Sequence, residues 1–216
     1  MIKGKKLETP ATFSEIVFRH LKKAIVEGDL KPGQRVQEKE IAKLFNVSTT
    51  PTREAFQRLA AEEYLTINAR KEVSVASLSV QRIKEVFEVV RTLDLLATTK
   101  AMNNLGTGVL EELKKMNQDL ERVFEQKNIT AYIRQNLKVH YRIWKECGNQ
   151  FLFKSLVALG DKFFFYSNQI FAKIEDPEIF RKSIKEHVDL VKAIEKKDSA
   201  GIERIVLSHW GGVGYL

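Results

Sequence analysis

A mainly α-helical protein in two parts is what the sequence predicts: an N-terminal winged helix-turn-helix, then an all-α helical bundle. Three observations predict it. Two apolar-periodic runs flank a three-residue polar break at Asn46-Val47-Ser48. The period then switches from helical to alternating between Leu65 and Val75, and from Ser79 onwards every apolar run returns to helical spacing. The expected domains are residues 1–76 and 77–216, with residues 1–9 a flexible lysine-rich tail and 77–79 a linker.

In the first domain, Phe13, Ile16, Val17, Leu21, Ala24 and Ile25 follow one helix face, and Gly28 is placed to end that helix. The connector GDLKPGQRV carries the breaker pair Pro32-Gly33. A second helix, about 38–45, is expected to turn Ile41, Ala42 and Leu44 inward, with Ala42 small enough for another helix to approach. Ser48 or Thr50 can cap the third helix, Pro51 suits its first turn, and Ala55, Phe56 and Leu59 form its apolar stripe. Leu65, Ile67, Val73 and Val75 then alternate around Asn68-Ala69-Arg70-Lys71, which reads as a short hairpin.

The second domain is expected to hold helices at 80–104, 109–126, 130–147, 150–171, 177–196 and 199–210. Ser79 caps the first and Asn149 the fourth. The breaks fall at Gly106–Gly108, Gly148-Asn149 and Glu175-Asp176-Pro177. The stretch DKFFFYSNQIF is aromatic on several faces, so its helix should be deeply buried. Tyr166 and Asn168 on it could line a cavity.

With 216 residues, 44% hydrophobic and 30% charged, the chain reads as a soluble globular protein. No apolar run approaches the roughly 20 residues of a membrane span, so no membrane partner is expected. The start lacks a signal-peptide core, and the lone Cys147 excludes an internal disulfide; both fit a cytoplasmic protein with a structural, half-buried thiol. A net charge of +8 favours polyanionic partners. Residues 1–76 carry 14 basic against 10 acidic side chains and residues 77–216 carry 22 against 18, so charge alone does not say which half meets an anion.

The helix beginning near Ser48 answers that. A helix start offers free backbone N–H groups and a positive dipole end to phosphate. Thr49, Thr50 and Thr52 are compact hydrogen-bonding groups whose methyls can meet a thymine methyl, and Arg53 can fork onto phosphate or guanine. Lys39 and Arg58 could hold the backbone, and Arg70 and Lys71 at the hairpin tip could reach the flanking minor groove. The segment VEGDLKPGQRVQEKEIAKLFNVSTTPTREAFQRLAAEEYLTI resembles the DNA-binding domain of GntR-superfamily bacterial transcription regulators, from about Thr12 to Ala76. The resemblance implies operator contacts by Lys39, Thr49, Thr50 and Arg53, with the tip near Arg70 in the minor groove. It departs where Thr49 replaces the usual basic residue, where Glu63 replaces the usual glycine, and at a hairpin tip without glycine, which implies a looser turn.

Asn136 and His140, four apart, leave one helix face; His187 and His209 lie on the two last helices. Three imidazoles and an amide oxygen could meet in a bundle and hold a divalent ion, although scattered histidines are usually structural. NLKVHYRIWKECGNQFL, EHVDLVKAI and SHW resemble the helical effector domain of the FadR-type branch, the FCD domain. That resemblance implies a site for a divalent transition metal, zinc or nickel, at Asn136, His140, His187 and His209. Asn136 stands where the family shows aspartate, which removes a negative charge and favours an anionic effector on the ion. Arg91 has the position of an arginine that clamps a carboxylate effector.

Together these readings predict a homodimeric regulator, a repressor by resemblance, that binds a palindromic operator and is controlled by a small organic acid. Two alternatives remain: a DNA-binding protein with a metal-free structural helical domain, or a metal-dependent enzyme. The enzyme needs a general acid or base beside the metal. Glu186 and Asp189 flank His187 but are expected on other helix faces, and no HExxH pairing is present, so no enzyme is predicted.

Overall fold

The computed structural model describes residues 11–77, 79–171 and 176–211. The expected N-terminal tail and Glu175 of the break expected at Glu175-Asp176-Pro177 lie outside these residues. The chain divides into two compact units, Met1–Ser77 and Leu78–Leu216.

The first unit holds α1 (Phe13–Glu27), α2 (Glu38–Leu44), α3 (Thr49–Ala61), β1 (Leu65–Ile67) and β2 (Val73–Val75). Thr12 caps α1 through its hydroxyl, and Gly28 closes it at φ 85°, a left-handed conformation that suits glycine. The core gathers Val17, Phe18, Leu21 and Ile25 from α1 with Ala55, Phe56 and Leu59 from α3. Phe13, Leu44 and Ile67 of the expected apolar faces are not in it, being 66%, 74% and 42% exposed. Phe13 is the first residue of its helix, where the stripe has no neighbour to cover it. Leu44 ends the seven-residue α2, whose only buried residue is Ala42.

β1 and β2 pair antiparallel with Leu65 opposite Val75 and Ile67 opposite Val73. The connector also docks on β2: Val36 N–H donates to the Val73 carbonyl, and Val75 N–H to that of Gln34, both at 2.9 Å. The tip closes without glycine. Asn68 Oδ1 accepts from the N–H groups of Arg70 and Glu72, and Lys71 takes the positive φ of 60°.

In the second unit the described helices are α4 (Val80–Ala101), α5 (Thr107–Glu125), α6 (Ile129–Trp144), α7 (Gln150–Phe171), α8 (Glu178–Glu195) and α9 (Ser199–Gly211). Ser79 caps α4 and Asn149 accepts from Phe151 and Leu152 at the start of α7. α6 stops three residues before the expected end, because the chain tightens through Lys145–Cys147 to a left-handed Gly148. Cys147 is buried, not half-buried, and its Sγ bonds the Asn149 carbonyl. α4 packs on α6, α7 and α9, α5 on α6 and α8, and α8 on α9. Trp144, Leu113, Leu120, Ile133, Ile143, Leu156 and Ile194 are the large side chains at the centre. α7 is buried along Phe163 to Ser167. Among the described residues no helix is long and apolar enough to cross a membrane.

Candidate functional site

At the start of α3, Ser48 is extended and its side chain makes no capping bond, so the helix presents its first backbone N–H groups uncapped. Thr49 and Thr50 are exposed beside them. Thr52 is not part of that edge. It is fully buried, and its hydroxyl donates to the Ser48 carbonyl at 3.4 Å, one helical turn back. The expectation that Thr52 touches DNA is therefore corrected. Arg53 is exposed and held in a fork by Glu38, with Nε 3.2 Å from both carboxylate oxygens and a terminal nitrogen 2.9 Å from one. Arg58, itself exposed, binds Glu15 of α1 at 2.6 Å and lies 4.0 Å over the Phe18 ring.

Lys39 and Lys71 line a shallow groove with Arg35 and Glu72 between the start of α2 and the wing, and Arg70 is exposed at its tip. Arg35, which pairs with Glu72, is a cation that the sequence reading passed over. It sat in a connector whose docking on β2 has no local sequence signature.

In the second unit three rings meet. His140 on α6, His187 on α8 and His209 on α9 turn their Nε2 atoms to one another, at 3.0 Å for His187–His140 and 3.1 Å for His140–His209. All three offer a ligand atom within 4.8 Å of the others. Nitrogens about 2.0–2.1 Å from one ion are spaced about 3.3 Å in a tetrahedron and about 2.9 Å at right angles. The His187–His140 and His140–His209 separations lie between, and with all three ligand atoms within 4.8 Å this donor set could gather on one divalent ion. Without an ion, three buried nitrogens that can share few protons face each other, an arrangement that is costly in a dry interior.

Behind the rings stand two carboxylates. Glu186 Oε2 lies 3.2 Å from His209 Nδ1, and Ser208 donates to its other oxygen at 2.6 Å. Glu186 was expected on another helix face; α9 brings His209 across to it. Asp94, on α4, is fully buried 3.4 Å from His140 Nδ1. It accepts the indole N–H of both Trp144 and Trp210 and the Thr98 hydroxyl at 3.2 Å. The sequence reading missed Asp94, since one acidic residue in a helical run carries no signal until its neighbours are known.

Burial works to raise the Asp94 carboxyl, but the attraction of His140 and the indole donors outweigh it and hold it below its ordinary value. Glu186 is likewise lowered, burial being overcome by His209, Ser208 and Lys182. Burial, with the neighbouring rings, holds His187 well below the usual imidazole range. His209 is lowered too, burial prevailing over the opposing bond to Glu186.

A cavity of about 70 Å³ opens beside His209, lined by Asn136, Ser183, Glu186, Ser208 and Lys182, with Phe87, Phe163, Phe171 and Trp210 as apolar walls. Asn136 Oδ1 accepts from Ser183 at 3.4 Å, and Tyr132 donates to Ser183 at 2.9 Å. Arg91 is half-buried at the margin of the α4 stripe and does not line this cavity; the cation on its wall is Lys182, 3.7 Å from Glu186. Tyr166 and Asn168 do not line it either.

Residues 85–212 match the FCD domain, and residues 13–75 match the bacterial regulatory proteins of the gntR family. The chain belongs to the GntR family of regulators, with an FCD domain. Its fold class is that expected, a small winged helix-turn-helix followed by a helical domain. It is 27% identical over 206 residues to the uncharacterized HTH-type transcriptional regulator YdhC of Bacillus subtilis, covering 95% of this chain and 91% of that one. It is 22% identical to the HTH-type transcriptional repressor RspR of Escherichia coli, over 89% and 83% of the two chains. Among solved structures, Escherichia coli McbR/YncC superposes with a TM-score of 0.75 at 23% identity, covering 94% of this chain and 95% of that chain, which shows a shared fold. These relatives are transcription regulators, not enzymes.

Proposed function

We propose that this family member is a homodimeric repressor that binds a palindromic DNA operator, with its affinity controlled by a small organic acid bound beside a divalent ion in the helical unit. The observation that carries this reading is the convergence of His140, His187 and His209 through Nε2, next to a cavity with polar walls. Those three imidazoles would hold the ion, and Asn136 borders the cavity next to His209 as a neutral oxygen donor. The ion supplies positive charge and open coordination positions for a carboxylate. Lys182, Ser183 and Ser208 can hold a carboxylate from the wall, and Phe87 and Phe163 exclude water.

On the other unit, the uncapped start of α3 with Thr49, Thr50 and Arg53 supports groove reading, with Lys39 and Lys71 on phosphate and Arg70 toward the minor groove. Homodimerisation is supported by exposed apolar residues: Val89 and Leu96 stand two turns apart on one face of α4, and Phe151 is exposed on α7. Repression is supported by the relatives RspR and the gluconate operon repressor of Bacillus subtilis.

Elemental analysis of protein purified without chelator, or reconstituted with zinc or nickel, tests the metal reading. About one ion per chain is expected, with a rise in melting temperature on loading, and both should vanish in His140→Ala. No bound ion even after reconstitution would overturn it.

A further inference from the structure

Asn136 brings no charge, so the four candidate ligands are all neutral. The negative charge near the site lies behind the rings. Asp94 is fully buried, yet both its oxygens are engaged: Oδ1 by Trp144 and Thr98, Oδ2 by Trp210 and His140. Trp144 follows His140 by one turn of α6, and Trp210 follows His209 directly on α9. One carboxylate on α4 therefore pins both helices that carry these two histidines. A structural role needs only the indole bonds. The fourth contact is different, because the 3.4 Å separation from Nδ1 puts a full charge behind the ring whose Nε2 enters the cluster.

We propose that Asp94 is a positioning residue for the metal site: its carboxylate keeps the His140 proton on Nδ1, so that Nε2 presents its lone pair to the ion. The proposal rests on the metal reading above. A carboxylate behind a ligating imidazole fixes the ring's tautomer and orientation and makes it a stronger donor. Glu186 stands behind His209 at hydrogen-bond distance, 3.2 Å from Nδ1. His140 Nδ1 and His187 Nδ1 both lack a hydrogen bond within the described residues, but His140 has the Asp94 carboxylate 3.4 Å away as a charge contact. Two of the three imidazoles are thereby backed by charge, which offsets the carboxylate missing at Asn136.

The test pairs two measurements on the full chain. Imidazole 15N NMR of the metal-free wild type should show the His140 proton on Nδ1 and a bare Nε2. Zinc affinity, measured by competition with a chromophoric chelator, should fall roughly 10–100-fold in Asp94→Asn. The metal-free melting curve, taken alongside, corrects for any loss of folded protein. A His140 proton on Nε2, or unchanged zinc affinity in folded Asp94→Asn, overturns the proposal. If that variant does not fold, the wild-type tautomer decides. A wild type that takes no zinc overturns the metal reading itself, and the tautomer still decides whether Asp94 holds His140.

Discussion

His187 and His209 are both held below the ordinary imidazole value, by burial above all. The unfolded chain therefore takes up protons that the folded chain refuses, and acid favours unfolding. Stability contributed by neutral rings is complete above about pH 6.5 and is lost as pH falls below it. Metal-free protein melted at pH 7.5 and 5.5 should lose melting temperature at the lower value, and His187→Gln should lose less. Equal melting temperatures for the wild type at both values would contradict the buried neutral cluster. At this scale the sequence was informative where side chains act in sets. Three histidines on three helical runs could be gathered by spacing and resemblance. Asp94 could not, since RTLDLLATT shows one acid among apolar neighbours and only tertiary packing sets two indoles and a ring around it. Thr52 misled for the opposite reason: its hydroxyl turns back to the Ser48 carbonyl while Thr49 and Thr50 face out.

Helices and hairpin were legible because their signals are local: period, caps, and the switch to alternation at Leu65. Ends were less so. α6 stops early at a left-handed glycine, and the connector's docking on β2 depends on partners some 40 residues away. The proposed recognition element is α3. Its uncapped start is open to phosphate, and Arg53 waits in the fork of Glu38, a pair exposed enough to exchange for DNA at little cost. Arg53→Ala should weaken binding to a selected DNA site by about 1–3 kcal/mol, and lower the salt slope by about one if the lost contact is to phosphate. Unchanged affinity in a salt-controlled titration, with the helical circular dichroism intact, would remove Arg53 from the interface.

At the scale of the whole molecule, the chain joins a unit that presents a helix start suited to DNA and a unit that gathers three imidazoles beside a cavity. A regulator needs the second to change what the first does, and such coupling typically amounts to about 1–3 kcal/mol, roughly 5–150-fold in affinity. The decisive measurement is the affinity of the intact chain for a DNA site selected from a random pool, with the histidine site loaded and then stripped by chelator. The account predicts a change of at least about fivefold in the wild type and none in His140→Ala. Equal affinities for the loaded and stripped wild type would contradict it.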